Sequence, residues 1–508
     1  MKRLVILSIA IMVSGVVAWA QGSYEEYLRA TRQEYSQYKN DKKREFEEFR
    51  ARANADYTRL MREQWAEFRG EEAVPAPAKE VAPPVVPTTA PVEERTIPAE
   101  DKPVAVDNVV KMAPVAPEKK LQPVVRIDDA EVSADSRPDY RKGPYEFTFY
   151  GTTCGVRLAN NLSFSLTAVD ENAIADEWAR LCANKGYADL VKDCLSLARE
   201  MSLCDWAYLQ MVETISGAFC GRETNEAVLL QSFVLNQSGY KIRIARTPQN
   251  KLCLLVASNY MIYDKKYFVL DGERFYLLQS FAGNRLKIFN SKFPNDCAID
   301  MSIADVPKLA RKMVNKRTLV SQQYPDLSVS VAINRNLMDF YNSYPTSSRQ
   351  QDENTKWNIY ARVPLSYESR AQLYPALRQA IAGKSEAEAA NILLNFVQTA
   401  FKYEYDDKVW GRDRIFTADE TLYYPYSDCE DRSILYSRLV QDLLGLDVVL
   451  IYYPGHLATA VSFNEPVTGD YLRINGRRYL VCDPTYIGAS IGRTMTGLDN
   501  TKVQVIVL

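Results

Sequence analysis

The chain has 508 residues, a near balance of 62 Lys and Arg against 64 Asp and Glu, a formal net charge of −2, and one histidine. That balance offers no surface for a polyanion, so a nucleic-acid partner is not expected. A lone histidine and cysteines without CxxC spacing make a zinc site a poor fit, and no cofactor or metal is expected.

Residues 1–20 read as a signal peptide. Lys2 and Arg3 precede an apolar core from Leu4 to Val17, and Ala18-Trp19-Ala20 is a small-x-small cleavage site. The core is short for a membrane span and no later stretch is apolar enough, so the mature chain is expected to be exported, periplasmic or extracellular, without a span. Export permits disulfides, and nine cysteines leave at least one without an intramolecular partner.

Residues 21–70 carry a repeat. Tyr24, Tyr35, Phe46, Tyr57 and Phe68 recur every 11 residues, and so do Tyr27, Tyr38, Phe49 and Leu60. Eleven residues make three helical turns, which keeps both positions on one stripe. The spacing predicts one long amphipathic helix whose aromatic seam must be buried. Self-association through 24–68, docking on the body and another protein partner all remain open. Residues 71–142 form a Pro-rich linker, with eleven of the 24 prolines between 75 and 123, and read as a semi-rigid tether.

From about 143 the chain is globular. Residues 143–290 open with strands YEFTFYG and LSFSLTAV, turn helical over 173–235, and continue as strands YKIRIAR, KLCLLVAS, KKYFVLDG and ERFYLLQS. Residues 291–364 form a middle α/β or β section, with LSVSVAINRNLMDFY and TKWNIYARVPL read as strands. Residues 365–508 begin with a helix to about 403, broken near Gly383. A helix over 429–444 and strands at 447–453, 456–463, 470–474 and 477–482 follow.

Three residues in this last domain carry chemistry. Cys429, in YSDCEDRS, falls in the first turn of a helix, with Ser427 and Glu430 spaced as a capping box and Gly445 as C-cap. A helix N-terminus favours a thiolate, but Asp428, Glu430 and Asp431 oppose it, and Arg432 offsets them only in part. His456 opens a strand after the turn Pro454-Gly455, on the face of Ala458, Ala460 and Ser462. Asp483 ends a later strand where Pro484 stops the ladder, on the face of Tyr479 and Val481. Cys482 points the other way. A Cys–His pair supplies nucleophile and base, and a carboxylate orients the ring, which suits acyl transfer. The Cys429 N–H, or a side chain from Trp410 to Tyr426, would serve the oxyanion. Cys429 bridged to Cys482 is the contrasting structural reading.

The stretches YYPYSDCEDRS, LLGLDVVLIYYPGHLATAV and GRRYLVCDPTY resemble the core of the transglutaminase-like superfamily. The resemblance spans about 365–490. It implies an α+β, papain-like fold with Cys429 as nucleophile, His456 as base and Asp483 as orienting residue. It leaves the substrate open, because that superfamily includes crosslinking enzymes, proteases, amidases and inactive members. A peptide or protein substrate is expected, with hydrolysis favoured over crosslinking. A non-catalytic binding or structural protein of the cell envelope is the alternative.

Residues 225–279 echo 429–483. An offset of 204 pairs Cys429 with Asn225, Glu430 with Glu226 and Asp483 with Gln279, while His456 falls near Cys253. The expectation is a degenerate second module over 143–290.

Overall fold

The computed structural model describes residues 33, 37–77, 109–110, 140–349 and 352–508. The signal-peptide reading of 1–20, the first turns of the repeat and most of the linker lie outside these residues. Among the described residues no helix is long and apolar enough to cross a membrane. The fold is mixed α+β with mainly antiparallel sheets.

The N-terminal helix covers 37–61 and stops well short of Phe68. Its last turn is closed by Trp65, whose indole N–H donates to the Met61 carbonyl at 3.0 Å. The chain then becomes a strand, Ala66–Arg69, which pairs antiparallel with Arg285–Ile288 and sets Phe68 opposite Leu286. The last aromatic of the repeat is therefore a sheet residue, because ladder pairing satisfies its backbone as well as a helix would. Among the described residues of the seam, burial is confined to its C-terminal part. Tyr57 is 1 % exposed and packs edge-on against Phe289 and Phe293, while Tyr38 is 61 % exposed.

Residues 143–290 open with a hairpin, Tyr145–Phe149 with Thr152–Val156. LSFSLTAV is not a strand. A 3₁₀ turn covers Asn160–Leu162, and the Leu166 N–H is taken by the Glu226 side chain at 2.8 Å instead of by a ladder. Four helices follow, the last being Asn225–Gln237. The first sheet then runs, edge to edge, Ala66–Arg69, Arg285–Ile288, Ile242–Arg246, Leu252–Ala257, Glu273–Leu277 and Tyr267–Leu270.

The middle section departs most from the expected strands. LSVSVAIN is a strand, Ser328–Asn334, paired with Met313–Val320, but RNLMDFY turns helical as Arg335–Ser343 with Asn334 as its cap. TKWNIYA is a helix too, Thr355–Ala361. Nearly all of it is buried, so it has no polar face to reveal a helical period.

In the last domain, Tyr367–Ile381 and Glu386–Ala400 are separate helices, divided at Gly383 with φ +71°. Cys429–Leu444 packs its Leu435 and Leu439 into the main core and ends at Gly445 in the left-handed conformation. The second sheet runs Val109–Val110, Gln504–Val507, Asp447–Tyr453, His456–Ser462, Arg477–Cys482 and Tyr471–Ile474. Both sheets thus place a strand from the N-terminal region outermost, then their own last strand, then their first, second, fourth and third. In each, a helix immediately precedes the first strand.

Candidate functional site

Cys429 is the first residue of its helix and is 1 % exposed. The cap sits one residue later than the sequence suggests. Asp428 is the N-cap, and its N–H donates to Asp431 Oδ2 at 3.2 Å, while Asp431 Oδ1 accepts from the Phe416 N–H at 3.0 Å. Ser427 instead accepts from Arg432 Nε at 3.2 Å. Glu430 Oε2 receives the thiol of Cys429 at 3.4 Å. The sulfur in turn accepts from the Leu457 N–H at 3.4 Å. That bond brings Cys429 to the start of the strand that begins with His456.

The hairpin turn aims His456. Tyr453 and His456 are directly paired across Pro454-Gly455, and Gly455 has φ +79°, which the third position of a type II turn requires. His456 Nε2 lies 2.9 Å from Asp483 Oδ2, with both side chains buried. This engagement leaves Nδ1 as the ring nitrogen available to a thiol. The other oxygen of Asp483 accepts from the Thr485 hydroxyl at 2.6 Å and the Thr485 N–H at 2.9 Å. Burial pushes the Asp483 carboxyl upward, but His456 and the Thr485 bonds outweigh it and hold the group below the ordinary aspartate value.

The acids around Cys429 are less costly to a thiolate than the sequence implies. Burial, reinforced by Asp428 and Glu430, pushes Asp406 up to about 9. Burial and the same neighbours raise Asp431 well above the usual range. Asp406 thus holds a proton at neutral pH, and Asp431 is shifted in the same direction, which lessens the negative charge opposing a thiolate. Arg432 is fully buried and supplies the compensating cation. Burial lowers it to about 10, still charged at neutral pH, with Tyr403 and the nearby acids opposing the fall. Donor atoms of Asp428, Cys429 and Glu430 lie within 4.8 Å of one another, as do those of Asp406, Asp413 and Glu430, and these are the groups that could hold a cation.

Gln398 joins the pieces and has no local signal in the sequence. Its side-chain amide reaches the carbonyls of Asp483 (3.0 Å), Tyr486 (2.8 Å) and Ala489 (3.0 Å), and its own carbonyl accepts from Arg432 Nη1 at 3.0 Å. The Asp483 turn and the Cys429 helix are thereby braced through one residue. Trp357 is a second residue that sequence reasoning missed. It shares an apolar cluster with Cys429, Leu457 and Ile506, and its buried indole N–H has no hydrogen-bond partner among the described residues.

Cys482 faces the main core, in a different cluster from Cys429, and none of the nine cysteines is bridged. The alternation that turned it away from Asp483 matches this placement. A cleft of about 900 Å³ lined by Tyr140, Arg311, Leu337, Tyr367 and Arg370 contains none of Cys429, His456 and Asp483.

The first sheet repeats the hydrogen-bond pattern with other residues. Asn225, first in its helix, accepts from the Leu252 N–H at 2.8 Å, as Cys429 does from Leu457. The residue before Leu252 is Lys251, which is exposed, so Lys251 and not Cys253 occupies the place of His456. Leu278 donates to the Leu254 carbonyl at 3.0 Å where Cys482 pairs with Thr459, which sets Gln279 in the place of Asp483.

No protein-family model matches the chain, and no curated protein matches it significantly.

Proposed function

We propose that the protein is an exported cysteine acyl-transfer enzyme acting on peptide or amide bonds, with hydrolysis favoured over crosslinking. The observation that carries this is the buried His456–Asp483 bond of 2.9 Å at the strand whose next N–H holds the Cys429 sulfur. In the reaction, His456 Nδ1 takes the thiol proton and the sulfur adds to the substrate carbonyl. The imidazolium then protonates the leaving amine as the C–N bond breaks. Water, deprotonated by the same ring, releases the acyl group and restores the thiol. The Cys429 N–H is the candidate oxyanion donor.

The reading carries a fold with it. The last domain is a papain-like, transglutaminase-type core, and 143–290 is a second copy of it, supported by the shared strand order of the two sheets. Asn225, Lys251 and Gln279 leave that copy without a nucleophile, so its role is support. The exposed end of the aromatic seam, from Tyr38 to Phe49, serves self-association.

A non-catalytic binding protein on the same fold is the second reading, favoured by the burial of Cys429 and the bond from its thiol to Glu430. Iodoacetamide alkylation separates the two. An activated Cys429 is modified fast, and the rate collapses in His456→Ala. Equal rates in the two proteins, once the reagent reaches Cys429, would sink the enzyme.

A further inference from the structure

We propose that the N-terminal region straps a cover over Cys429, and that the enzyme works only when this strap lets go. The inference rests on the acyl-transfer reading and concerns its regulation. Cys429, His456 and Asp483 are 1 %, 6 % and 2 % exposed. An attacking sulfur must come within about 3–3.5 Å of the carbonyl carbon, so a peptide bond cannot react while the site is this closed.

The cover has two parts. The first is the Thr355–Ala361 helix, whose Trp357 and Ala361 join the cluster around Cys429. The second is the terminal strand Gln504–Val507, which adds Ile506 to that cluster. They are tied together: Asn358 Nδ2 donates to the Val507 carbonyl at 2.6 Å, and Asn354 donates to the Gln504 side chain. A helix of two turns has little stability of its own and depends on such contacts.

The N-terminal region holds both parts. Lys356, on the covering helix, is 3 % exposed, and its ammonium donates to the Pro77 carbonyl at 3.1 Å and pairs with Asp413 at 3.5 Å. The chain up to Pro77 is fixed to the first sheet. Ala66–Arg69 pairs with Arg285–Ile288, the Val74 carbonyl accepts from the Asp264 N–H at 2.8 Å, and the Ala76 N–H donates to Asp264 at 3.3 Å. On the other flank, Val109–Val110 pairs in parallel with the terminal strand. One N-terminal region thus grips the helix through a buried ammonium and the strand through a backbone ladder. Displacing it leaves Lys356 short of a partner and the terminal strand short of a neighbour, which loosens both halves of the cover together.

The test uses the full-length chain. Lys356→Met removes the ammonium while keeping the aliphatic stem. Val109→Pro with Val110→Pro removes the N–H of both residues, including the one that faces the terminal strand. The rate of iodoacetamide modification is followed at each cysteine by peptide mapping. Combining the two changes is expected to raise the rate at Cys429 at least tenfold, with fully buried Cys482 still protected, and Lys356→Arg is expected to stay slow. An unchanged rate at Cys429 overturns the strap. So does equal exposure of Cys429 and Cys482, because the cover would then be inseparable from the fold. Adding His456→Ala to the opened chain keeps the two claims apart. If opening speeds Cys429 equally with and without His456, the strap stands and the acyl-transfer reading falls.

Discussion

Replacing Asp483 with Asn changes one atom and should trap His456 in the wrong tautomer. Asp483 Oδ1 accepts from the Thr485 hydroxyl at 2.6 Å, the Thr485 N–H at 2.9 Å and the Tyr486 N–H at 3.3 Å. Backbone N–H groups only donate, so an amide at this position keeps its oxygen there and turns its NH₂ towards His456. His456 Nε2, which faces Oδ2 at 2.9 Å in the native chain, then meets a donor and must become the acceptor. The neutral ring carries its proton on Nδ1, the nitrogen that would receive the thiol proton in the proposed reaction. The imidazolium also loses its buried counter-charge. Losses of this kind amount to about 3–5 kcal/mol, or about 10²–10⁴-fold in rate. The assay is the pH profile of iodoacetamide modification at Cys429 between pH 5 and 9, with and without Asp483→Asn in the chain opened by Lys356→Met, Val109→Pro and Val110→Pro, and with fold integrity checked by the protection of Cys482. Asp483→Asn is expected to lose the fast rate near neutrality and to react only as the free thiol ionises at higher pH. A rate within about twofold of the opened chain that keeps Asp483 across the profile would refute the reasoning.

Three further outcomes follow from the geometry. Asp406 has a folded-state value of about 9 and an ordinary unfolded value, so the folded chain binds the extra proton between about pH 4 and 9, and its stability falls as pH rises through that window. Asp406→Asn should flatten the fall, by up to about 1.4 kcal/mol per pH unit, in urea midpoints compared at pH 6 and 8; an identical slope would count against protonation of Asp406. Arg432→Met removes donors from the Gln398 and Phe401 carbonyls and from Ser427, and leaves the surrounding acids uncompensated. A loss of about 3–5 kcal/mol in urea unfolding is expected, and a loss below about 1 kcal/mol would remove Arg432 as the brace. Tyr38→Glu with Phe49→Glu alters exposed seam positions away from the docked Tyr57, and should turn an associating chain into a monomer in sedimentation velocity. Identical sedimentation of the two chains would exclude self-association through this seam.

Four strands of the last domain were readable to within a residue or so because turns at Pro454-Gly455 and Asn475-Gly476 and the stop at Asp483-Pro484 bound them, whereas the terminal strand Gln504–Val507 carries no such marker and was not read. The Cys429 helix was readable for the same reason, since Gly445 marks its end. What escaped was set by tertiary contact. TKWNIYA is rich in residues that favour strands, yet it folds as a helix because Asn358 and Lys356 find partners on the terminal strand and at Pro77. Gln398 looks like any polar residue on a helix until three carbonyls converge on it. The acids near Cys429 read as a cost because the burial that raises Asp406 and Asp431 is a property of the packed state. Lys251 was missed in favour of Cys253 because a constant offset cannot register a hairpin that is longer in one sheet than in the other.

The pairing of Val109–Val110 with Gln504–Val507 has a consequence for the chain in concentrated solution. Without it, Val505, Ile506 and Val507 would form an open, apolar sheet edge with unpaired backbone groups, the kind of edge that recruits strands from neighbouring molecules. Two residues of the tether blunt that edge. A chain shortened to its last domain would therefore be expected to precipitate or stack edge to edge, and fragments intended for solution work should retain the tether strand or carry a charge in its place.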